Sequence, residues 1–357
     1  AAFNAAKNGT NFAALNTQMV ELGDQIASIS PCVEKIRFVA SGTEATMLCL
    51  RLARSVSGKS KILKFEGAYH GQHPEGIASM VQLNDRSSTK ANISGTGAPW
   101  VKESVLVAPF NDLEATRALI KENAADLAAV IVEPLHRCLK PVDGFLSGLR
   151  KITQELGIIL VFDEVVTGFR LALGGAQEYY GVKPDLVAYG KALGGGFPIG
   201  AFGGSEEIME GVNESRYSKL NYSWSASTTG GNPVSCAAAM ATIKLLSEQQ
   251  NFEKLHRLGR EFRKQLTEIL VNNEEPFQVL GDGPLAQVVF TDRTISNSRD
   301  WGVADRNKGL LLMLQLIKEG VFLNPMGTKM YLSLSHGAKE MEEFSDKFSS
   351  ALKSLNS

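Results

Sequence analysis

The sequence has 357 residues, of which 44% are hydrophobic and 21% charged, so it is long enough for a large core and two structural units. The 37 basic and 38 acidic residues give a net charge of −1, and no basic run is interleaved with aromatic residues, which argues against a nucleic-acid partner. No apolar run reaches the length that spans a bilayer, so we expect a soluble globular protein without a membrane partner.

The predicted elements alternate between strand-like apolar runs and helical patterns. Short β-branched runs separated by helices of roughly ten residues indicate parallel strands buried on both faces. This pattern predicts an α/β fold with a mostly parallel central sheet flanked by helices. In chain order, the predicted strands are 35–40, 60–66, 104–109, 127–134, 158–165 and 186–191, and the predicted helices between them are 42–56, 112–123 and 144–156.

The region after about residue 235 is richer in helices and poorer in strands, which indicates a smaller α+β domain. We therefore predict an N-terminal helical segment at 1–34, a large cofactor-binding domain at 35–240 and a small C-terminal domain at 241–357. The N-terminal segment is interpreted as the remnant of a longer region, because the sequence does not begin with Met.

The four cysteines are scattered without the CxxC spacing of metal sites, so neither a zinc site nor a disulfide framework is expected. The first residues, "AAFNAAKNGTNF", lack the charged-then-apolar order of a signal peptide. A reducing, cytoplasmic compartment is therefore expected. The cysteines are Cys32, Cys49, Cys138 and Cys236.

Chemistry in open α/β sheets collects at the carboxyl ends of the strands. The motif "FVASGTEA" puts Ser41, Gly42 and Thr43 between a strand and a helix, where backbone N–H groups and the helix dipole can hold a phosphate. The alternative is a plain helix N-cap with a glycine turn.

A second strand end carries an acid. In "VFDEV" the side chains of Asp163 and Val165 share one face and Glu164 lies opposite, so an acid and a flat apolar group would face one ligand. Asp163 as a cap of the next turn is the alternative. Lys191 ends the next predicted strand, so it belongs to the same edge of the sheet. Its surroundings do not match a phosphate-binding Walker loop, since Asp185 stands where that motif needs glycine.

An amine, a carboxylate and a phosphate cradle at one edge are what pyridoxal phosphate requires. Its aldehyde needs an amine, its ring nitrogen needs a carboxylate, and its phosphate needs N–H donors. Tyr69 in "AYHG" follows another strand and can stack on the ring, although a core tyrosine is the alternative.

Six ordered motifs between residues 37 and 243 extend this pattern. On these motifs the sequence resembles the class III pyridoxal-phosphate aminotransferases, and within them the glutamate-1-semialdehyde 2,1-aminomutase branch. The resemblance continues weakly to "YLSLSH" at 331–336. The motifs are "RFVASGTEATMLCLRLAR", "KFEGAYHG", "VIVEP", "FDEVVTGFRLALGGAQEYYGVKPDL", "GKALGGGFPIGAFGG" and "TTGGNPVSCAAAMATI".

The resemblance implies a role for each matching residue. Lys191 resembles the Schiff-base lysine, which a substrate amine displaces and which then moves a proton as general base. Asp163 would pair with the pyridine nitrogen, and Val165 and Tyr69 would pack on opposite ring faces. Thr228 matches the threonine that reaches the phosphate of the neighbouring subunit, which implies a homodimer with shared active sites. The implied cofactor-binding set is Ser41, Gly42, Thr43, Tyr69, His70, Glu133, Asp163, Val165, Lys191 and Thr228.

The sequence also departs from the mutases. Ala40 stands where they have asparagine, Thr328 where they carry a glutamate, and the region 79–100 matches their gating loop poorly. A mutase must retain its intermediate behind a closed lid, whereas an aminotransferase releases its first product. These differences favour transfer between a small-molecule amino donor and a separate carbonyl acceptor. The mutase and a catalytically inactive structural relative are the alternatives.

The turn after "VIVEP" also differs from the family. His136, Arg137 and Cys138 replace a small glycine-containing turn, which suggests a changed substrate. Arg137 is a candidate for holding a substrate carboxylate, because a planar guanidinium suits bidentate binding, and a solvated position is the alternative. Arg170 in "TGFR" is interpreted as a structural residue.

Overall fold

A seven-stranded sheet organises the first part of the chain. The computed structural model describes residues 1–81, 89–323 and 328–355, which divide into two compact units. The first unit comprises 1–136 and 141–248, and the second comprises 137–140 and 249–357. The seven strands of the first unit are β1 (Lys35–Val39), β2 (Lys61–Phe65), β3 (Val105–Ala108), β4 (Leu127–Val132), β5 (Ile159–Asp163), β6 (Leu186–Tyr189) and β7 (Gly200–Gly204).

The spatial order of the strands is β1-β7-β6-β5-β4-β2-β3. The neighbours from β6 to β3 run parallel, whereas β7 is antiparallel to both β1 and β6, so the sheet is mostly parallel as the sequence pattern predicts. All six residues of β4 are buried, as expected for a strand covered on both faces.

Of the seven strands of this sheet, β7 is the one that the sequence pattern does not predict. Three of its five residues are glycines, and a Cβ at Gly200 would lie 2.2 Å from the carbonyl oxygen of Ser41. At Gly204 it would lie 2.3 Å from the carbonyl oxygen of Asp185. The strand is glycine-rich because neighbouring backbone approaches it closely, and this removes the side-chain alternation by which strands are recognised.

Helices cover the sheet, and α3 packs on it most extensively. Ser41 caps its first turn, and Gly58 ends it in the left-handed conformation with φ of 69°. The α-helices of the first unit are α1 (Ala2–Ala6), α2 (Thr17–Ile29), α3 (Gly42–Ser57), α4 (Pro74–Ile77), α5 (Val101–Ser104), α6 (Leu113–Glu122), α7 (Phe145–Glu155), α8 (Ala176–Tyr179), α9 (Glu206–Met209) and α10 (Pro233–Leu246), and its 3-10 helices are Lys191–Gly194, Glu210–Val212 and Glu214–Arg216.

The second unit has its own sheet and core. Its antiparallel strands are ordered β10-β9-β8, and the core includes Phe262, Val288, Leu312 and Phe348. Its elements are α11 (Asn251–Asn272), β8 (Phe277–Leu280), β9 (Leu285–Phe290), a 3-10 helix (Ser298–Val303), α12 (Arg306–Lys318), β10 (Lys329–Tyr331) and α13 (Ala338–Lys353).

The compact units divide the chain at different places from the predicted domains. Residues 1–34 belong to the first unit, and the predicted boundary at 240 falls inside α10, which the first unit contains whole. The three predicted domains therefore remain predictions. Across the described ranges, no helix is both long and apolar enough to cross a membrane.

Candidate active site

The carboxyl end of β5 carries a buried acid–imidazole pair. Asp163, the last residue of that strand, is 5% exposed, and His70 in the loop after β2 is 1% exposed. Oδ2 of Asp163 lies 2.7 Å from Nδ1 of His70, and Oδ1 accepts the Val165 N–H at 3.1 Å. An ionised carboxylate only accepts hydrogen bonds, so Nδ1 carries the proton and donates it.

The opposite ring nitrogen of His70 decides the charge of the ring. Nε2 is buried and has no hydrogen-bond partner among the described residues. Burial lowers the pKa of His70, although the hydrogen bond and the charge of Asp163 act to raise it. The ring is therefore neutral near pH 7.

Three chain segments meet beside this pair. A Cβ at Gly42 would lie 2.8 and 2.9 Å from the two methyl carbons of Val165, too close for a side chain at that position. A Cβ at Gly190 would lie 3.4 Å from both the Cα of Gly42 and a methyl carbon of Val165. The first turn of α3, the turn after β5 and the end of β6 are therefore in direct contact.

Lys191 follows Gly190 and begins the 3-10 helix Lys191–Gly194. Its φ of 44° lies in the left-handed region, which non-glycine residues adopt rarely and which recurs at functional sites. The residue is exposed. Lys191 therefore has a constrained backbone conformation directly after the contact that Gly190 makes with Gly42 and Val165.

The first turn of α3 is closely organised. The Ser41 hydroxyl accepts the Glu44 N–H at 3.2 Å and donates to Glu44 Oε2 at 3.0 Å, so this hydroxyl serves the cap. Thr43 Oγ1 accepts the Gln72 N–H at 3.3 Å, and a Cβ at Gly71 would lie 2.8 Å from the Thr43 Cα. The helix start is thereby joined to the loop that carries Tyr69 and His70.

The other predicted residues lie at several places. Tyr69 is half-buried beside His70, and Glu133 directly follows β4 with Oε2 at 3.4 Å from Nδ1 of His136. The Glu133 charge raises the pKa of His70, which is an electrostatic coupling between the two. Thr228 is exposed in the irregular segment 222–229, which precedes α10.

Of the residues that depart from the mutase pattern, His136, Cys138 and Thr328 are buried, whereas Ala40 and Arg137 are half-buried. His136 stacks on Phe110 with ring centroids 4.8 Å apart. Arg137 and Cys138 have φ of 51° and 69° and belong to the second unit. Thr328, also in the second unit, donates its hydroxyl to the Val288 carbonyl. Of the region compared with the gating loop, residues 82–88 lie outside the described residues.

Two further residues of this region are not among the predicted site residues. Glu164 is fully buried and accepts the N–H groups of Ala176 and Gln177 at 2.5 and 3.0 Å. Burial raises the pKa of Glu164 to about 7, although these N–H groups and the Thr167 hydroxyl favour the ionised form. Lys64 is 1% exposed in the middle of β2. A charged residue inside an apolar strand run was the available signal for Lys64.

The Arg170 guanidinium donates from Nη1 to the carbonyl of Val166 at 2.7 Å, within the turn that follows β5. This contact joins Arg170 to the backbone of its own turn.

These groups meet the chemical requirements of pyridoxal phosphate. Asp163 is a buried carboxylate of the kind that the ring nitrogen requires, and its partner His70 is neutral. Gly42 and Gly190 leave space where a Cβ would contact Val165, and an exposed lysine follows Gly190.

Comparisons with known proteins agree with this chemistry. The family description "Aminotransferase class-III" matches residues 2–352. The chain is 39% identical to a glutamate-1-semialdehyde 2,1-aminomutase of Methanothermobacter thermautotrophicus, over 94% of this chain and 79% of that protein.

Two solved structures are similar over the whole chain. An omega-transaminase from Sphaerobacter thermophilus has a TM-score of 0.92 and 33% identity, covering 100% of this chain and 82% of that chain. A transaminase with PLP bound has a TM-score of 0.88 and 26% identity, covering 99% and 81%. The family match covers nearly the whole chain, and the buried carboxylate of Asp163 fits the chemistry of that family. The chain therefore belongs to the class III aminotransferases, the cofactor of which is pyridoxal phosphate.

Proposed function

We propose that this protein transfers an amino group from a small-molecule amino donor to a separate carbonyl acceptor, at the edge of the sheet where β5 and β6 end. The observation that carries the proposal is the contact of Gly42, Val165 and Gly190 beside the Asp163–His70 pair. It supports an arrangement in which Lys191 and Asp163 serve one cofactor.

Asp163 would hold a proton at the ring nitrogen of the cofactor. Its Oδ1 accepts the Val165 N–H and its Oδ2 accepts the Nδ1–H of His70, so both oxygens are oriented by donors that favour the ionised carboxylate. Because His70 is neutral, the pair carries a net negative charge, which favours a protonated ring nitrogen.

Lys191 would attach the cofactor and then move a proton at the substrate carbon. Pyridoxal phosphate, when bound, supplies a carbonyl that takes up the amino group and a ring that accepts the electron pair left at the substrate carbon. The Lys191 Nζ would hold the aldehyde of the cofactor and, when not bonded to it, would act as the base that takes a proton from the substrate carbon and later gives it back.

The remaining residues would bind and orient. Backbone N–H groups at the first turn of α3, together with Thr43, favour a phosphate, because α3 is a 16-residue helix with a full dipole. Val165 and Tyr69 would enclose the ring from two sides. Glu133, coupled electrostatically to His70, would contribute to the charge balance beneath the ring.

Two observations favour a transfer between separate molecules over an intramolecular one. Thr328 stands where the mutases carry a glutamate, and its hydroxyl is used by the Val288 carbonyl. The chain is also 33% identical to an omega-transaminase over its whole length.

The second candidate is the glutamate-1-semialdehyde 2,1-aminomutase reaction. The observation that favours it is the identity of 37–39% to curated relatives of that name, over 94% or more of this chain.

One experiment separates the two candidates. The loaded protein is mixed with single amino donors, and conversion to the amino form of the cofactor is followed by visible absorbance. We expect stoichiometric conversion by a donor alone and steady turnover only after a keto acid is added. Turnover of glutamate-1-semialdehyde without a second substrate would favour the mutase, and an unchanged spectrum with every donor would favour an inactive relative.

We also propose a homodimer with shared sites. Thr228 is exposed in the single chain, which supports a role at the phosphate of a partner subunit.

A further inference from the structure

Lys64 occupies an unusual position for a lysine. It lies in β2, between the neighbouring strands β4 and β3, and is 1% exposed. Its strand neighbours Leu63 and Phe65 are completely buried apolar residues. A lysine is almost never fully buried unless its charge is compensated, so the Nζ must have compensating partners.

Backbone carbonyl groups of the following loop compensate this charge. We define the β2 loop as residues 66–79. The Lys64 Nζ donates to the carbonyl oxygens of Ala68 at 3.1 Å and Gly76 at 2.8 Å. It also donates to the backbone carbonyl oxygens of Glu75 at 3.3 Å and Ala78 at 2.5 Å. The loop therefore wraps around an ammonium group as it would around a bound cation.

The same contacts reach His70 directly. The Gly76 oxygen that accepts from Lys64 also accepts the backbone N–H of His70 at 3.0 Å. The His70 carbonyl accepts the hydroxyl of Thr46, which lies in α3 one turn beyond Thr43. The backbone of His70 is thus held on one side through Lys64 and on the other by α3.

Charged and titratable groups on four elements face His70. Asp163 at the end of β5 and Glu133 after β4 raise its pKa, whereas burial and the Lys64 charge lower it. The Nε2 of His73, in the same loop, lies 3.1 Å from the His70 carbonyl oxygen. Among these groups Lys64 supplies the positive charge that opposes the two carboxylates.

We propose that Lys64 is a positioning residue of the active site. Its ammonium shapes the β2 loop that presents Tyr69 and His70, and its charge adds to burial in favouring the neutral form of His70 that donates to Asp163. Neutral His70 leaves the Asp163 charge available for the cofactor ring. The last step rests on the proposed function, whereas the effect of Lys64 on His70 does not.

The test compares Lys64→Met with Lys61→Met. Lys61 lies in the same strand, but its Nζ contacts Asn123 at 3.1 Å and Asp126 at 3.4 Å, away from the β2 loop. The side-chain change is the same in both variants. Histidine ring signals are titrated by NMR in the cofactor-free full chain. The His70 signal is identified among those of the five histidines as the one that is missing from the spectrum of His70→Gln.

In Lys64→Met we expect the pKa of His70 to rise, because the variant lacks a positive charge that lowers it. The amide protons of the β2 loop should exchange at least about tenfold faster, because opening the loop no longer breaks the hydrogen bonds between the ammonium group and the loop carbonyls. Lys61→Met should change neither. If Lys64→Met does not fold, Lys64→Gln carries the measurement, because it keeps two N–H donors and loses the charge. A His70 pKa in the variant equal to that of the wild type would overturn the electrostatic role.

Cofactor binding provides the second readout. We expect the dissociation constant for pyridoxal phosphate to rise at least tenfold in Lys64→Met and to stay unchanged in Lys61→Met. A shifted His70 pKa with unchanged cofactor binding would retain the effect of Lys64 on His70 and overturn its place in the active site. In the wild type, a His70 pKa above its ordinary value would overturn the proposal without any variant.

Discussion

The Nδ1 of His70 lies 2.7 Å from Oδ2 of Asp163, and both side chains are buried. Because the carboxylate can only accept, the hydrogen bond fixes the imidazole tautomer, and because burial lowers the pKa of the imidazole, the ring carries no positive charge near pH 7. The pair therefore differs from an ion pair, in which the two charges would cancel.

Asp163→Asn should keep the fold and lower the turnover number by roughly 10²–10⁴-fold, the range typical of a lost acid–base group. The amide has one accepting oxygen in place of the two that accept from His70 and Val165, and it carries no charge to hold a proton on the ring nitrogen. The measurement is kcat with the best donor and acceptor. Asp126→Asn, which changes an exposed ion pair with Lys61, is the control. Near wild-type turnover in Asp163→Asn would mean that this residue only caps its turn.

Lys191→Ala should abolish steady turnover and the visible absorbance of the lysine-bound cofactor. The fold should persist, because the side chain is exposed. The control is Lys183→Ala, an exposed lysine ahead of β6. Circular dichroism verifies folding in both. Retained transamination in Lys191→Ala would refute the assignment of this lysine.

Gly42→Ala should weaken cofactor binding at least about tenfold, because the new Cβ would lie 2.8 Å from a Val165 methyl carbon and must displace it. The measurement is the dissociation constant for pyridoxal phosphate. In the control, Gly309→Ala in α12, the nearest side-chain atom to the new Cβ is 3.8 Å away, and binding should not change. Unchanged binding in Gly42→Ala would show that Val165 does not need its present position.

Subunit mixing tests the shared site. Thr228→Asp would place a negative charge beside the phosphate and should be inactive, as should Lys191→Ala. In a heterodimer of the two variants, one site has both lesions and the other has neither, so mixing should restore activity well above either parent. If heterodimers form, as verified by mass, and no activity returns, Thr228 does not serve the partner's site.

Glu164 should give the protein a distinct pH dependence of stability. Its pKa is raised from 4.5 to about 7 in the folded chain, so between these values the folded state binds more protons than the unfolded state. The free energy of unfolding should therefore fall as pH rises from about 4.5 to about 7 and be level beyond.

Glu164→Gln removes this titration but not that of the other groups. Thermal midpoints are measured on the cofactor-free chain. The midpoint of the wild type minus that of Glu164→Gln should decrease as pH rises from about 4.5 to about 7. A difference that is constant from pH 4.5 to 7 would contradict the raised pKa.

Local patterns were sufficient for six of the seven strands of the large sheet and for α3, α6 and α7. The run 127–134 contains β4 (Leu127–Val132), and the segment 42–56 contains nearly all of α3 (Gly42–Ser57), because apolar periodicity and caps depend only on neighbouring residues. Asp163 and Lys191 stand at or next to strand ends, and the order of strands and helices predicts one sheet edge for both.

Tertiary structure decided the features that depend on distant backbone. Strand β7 is inserted between β1 and β6 because its glycines admit the close approach of Ser41 and Asp185, a requirement that no local propensity expresses. The β2 loop compensates the charge of Lys64 when it folds back over it, and His70 is neutral chiefly because packing removes it from water. The sequence by itself determined which groups exist and on which elements, whereas desolvation and carbonyl orientation, which arise only on packing, decided their charge and their partners.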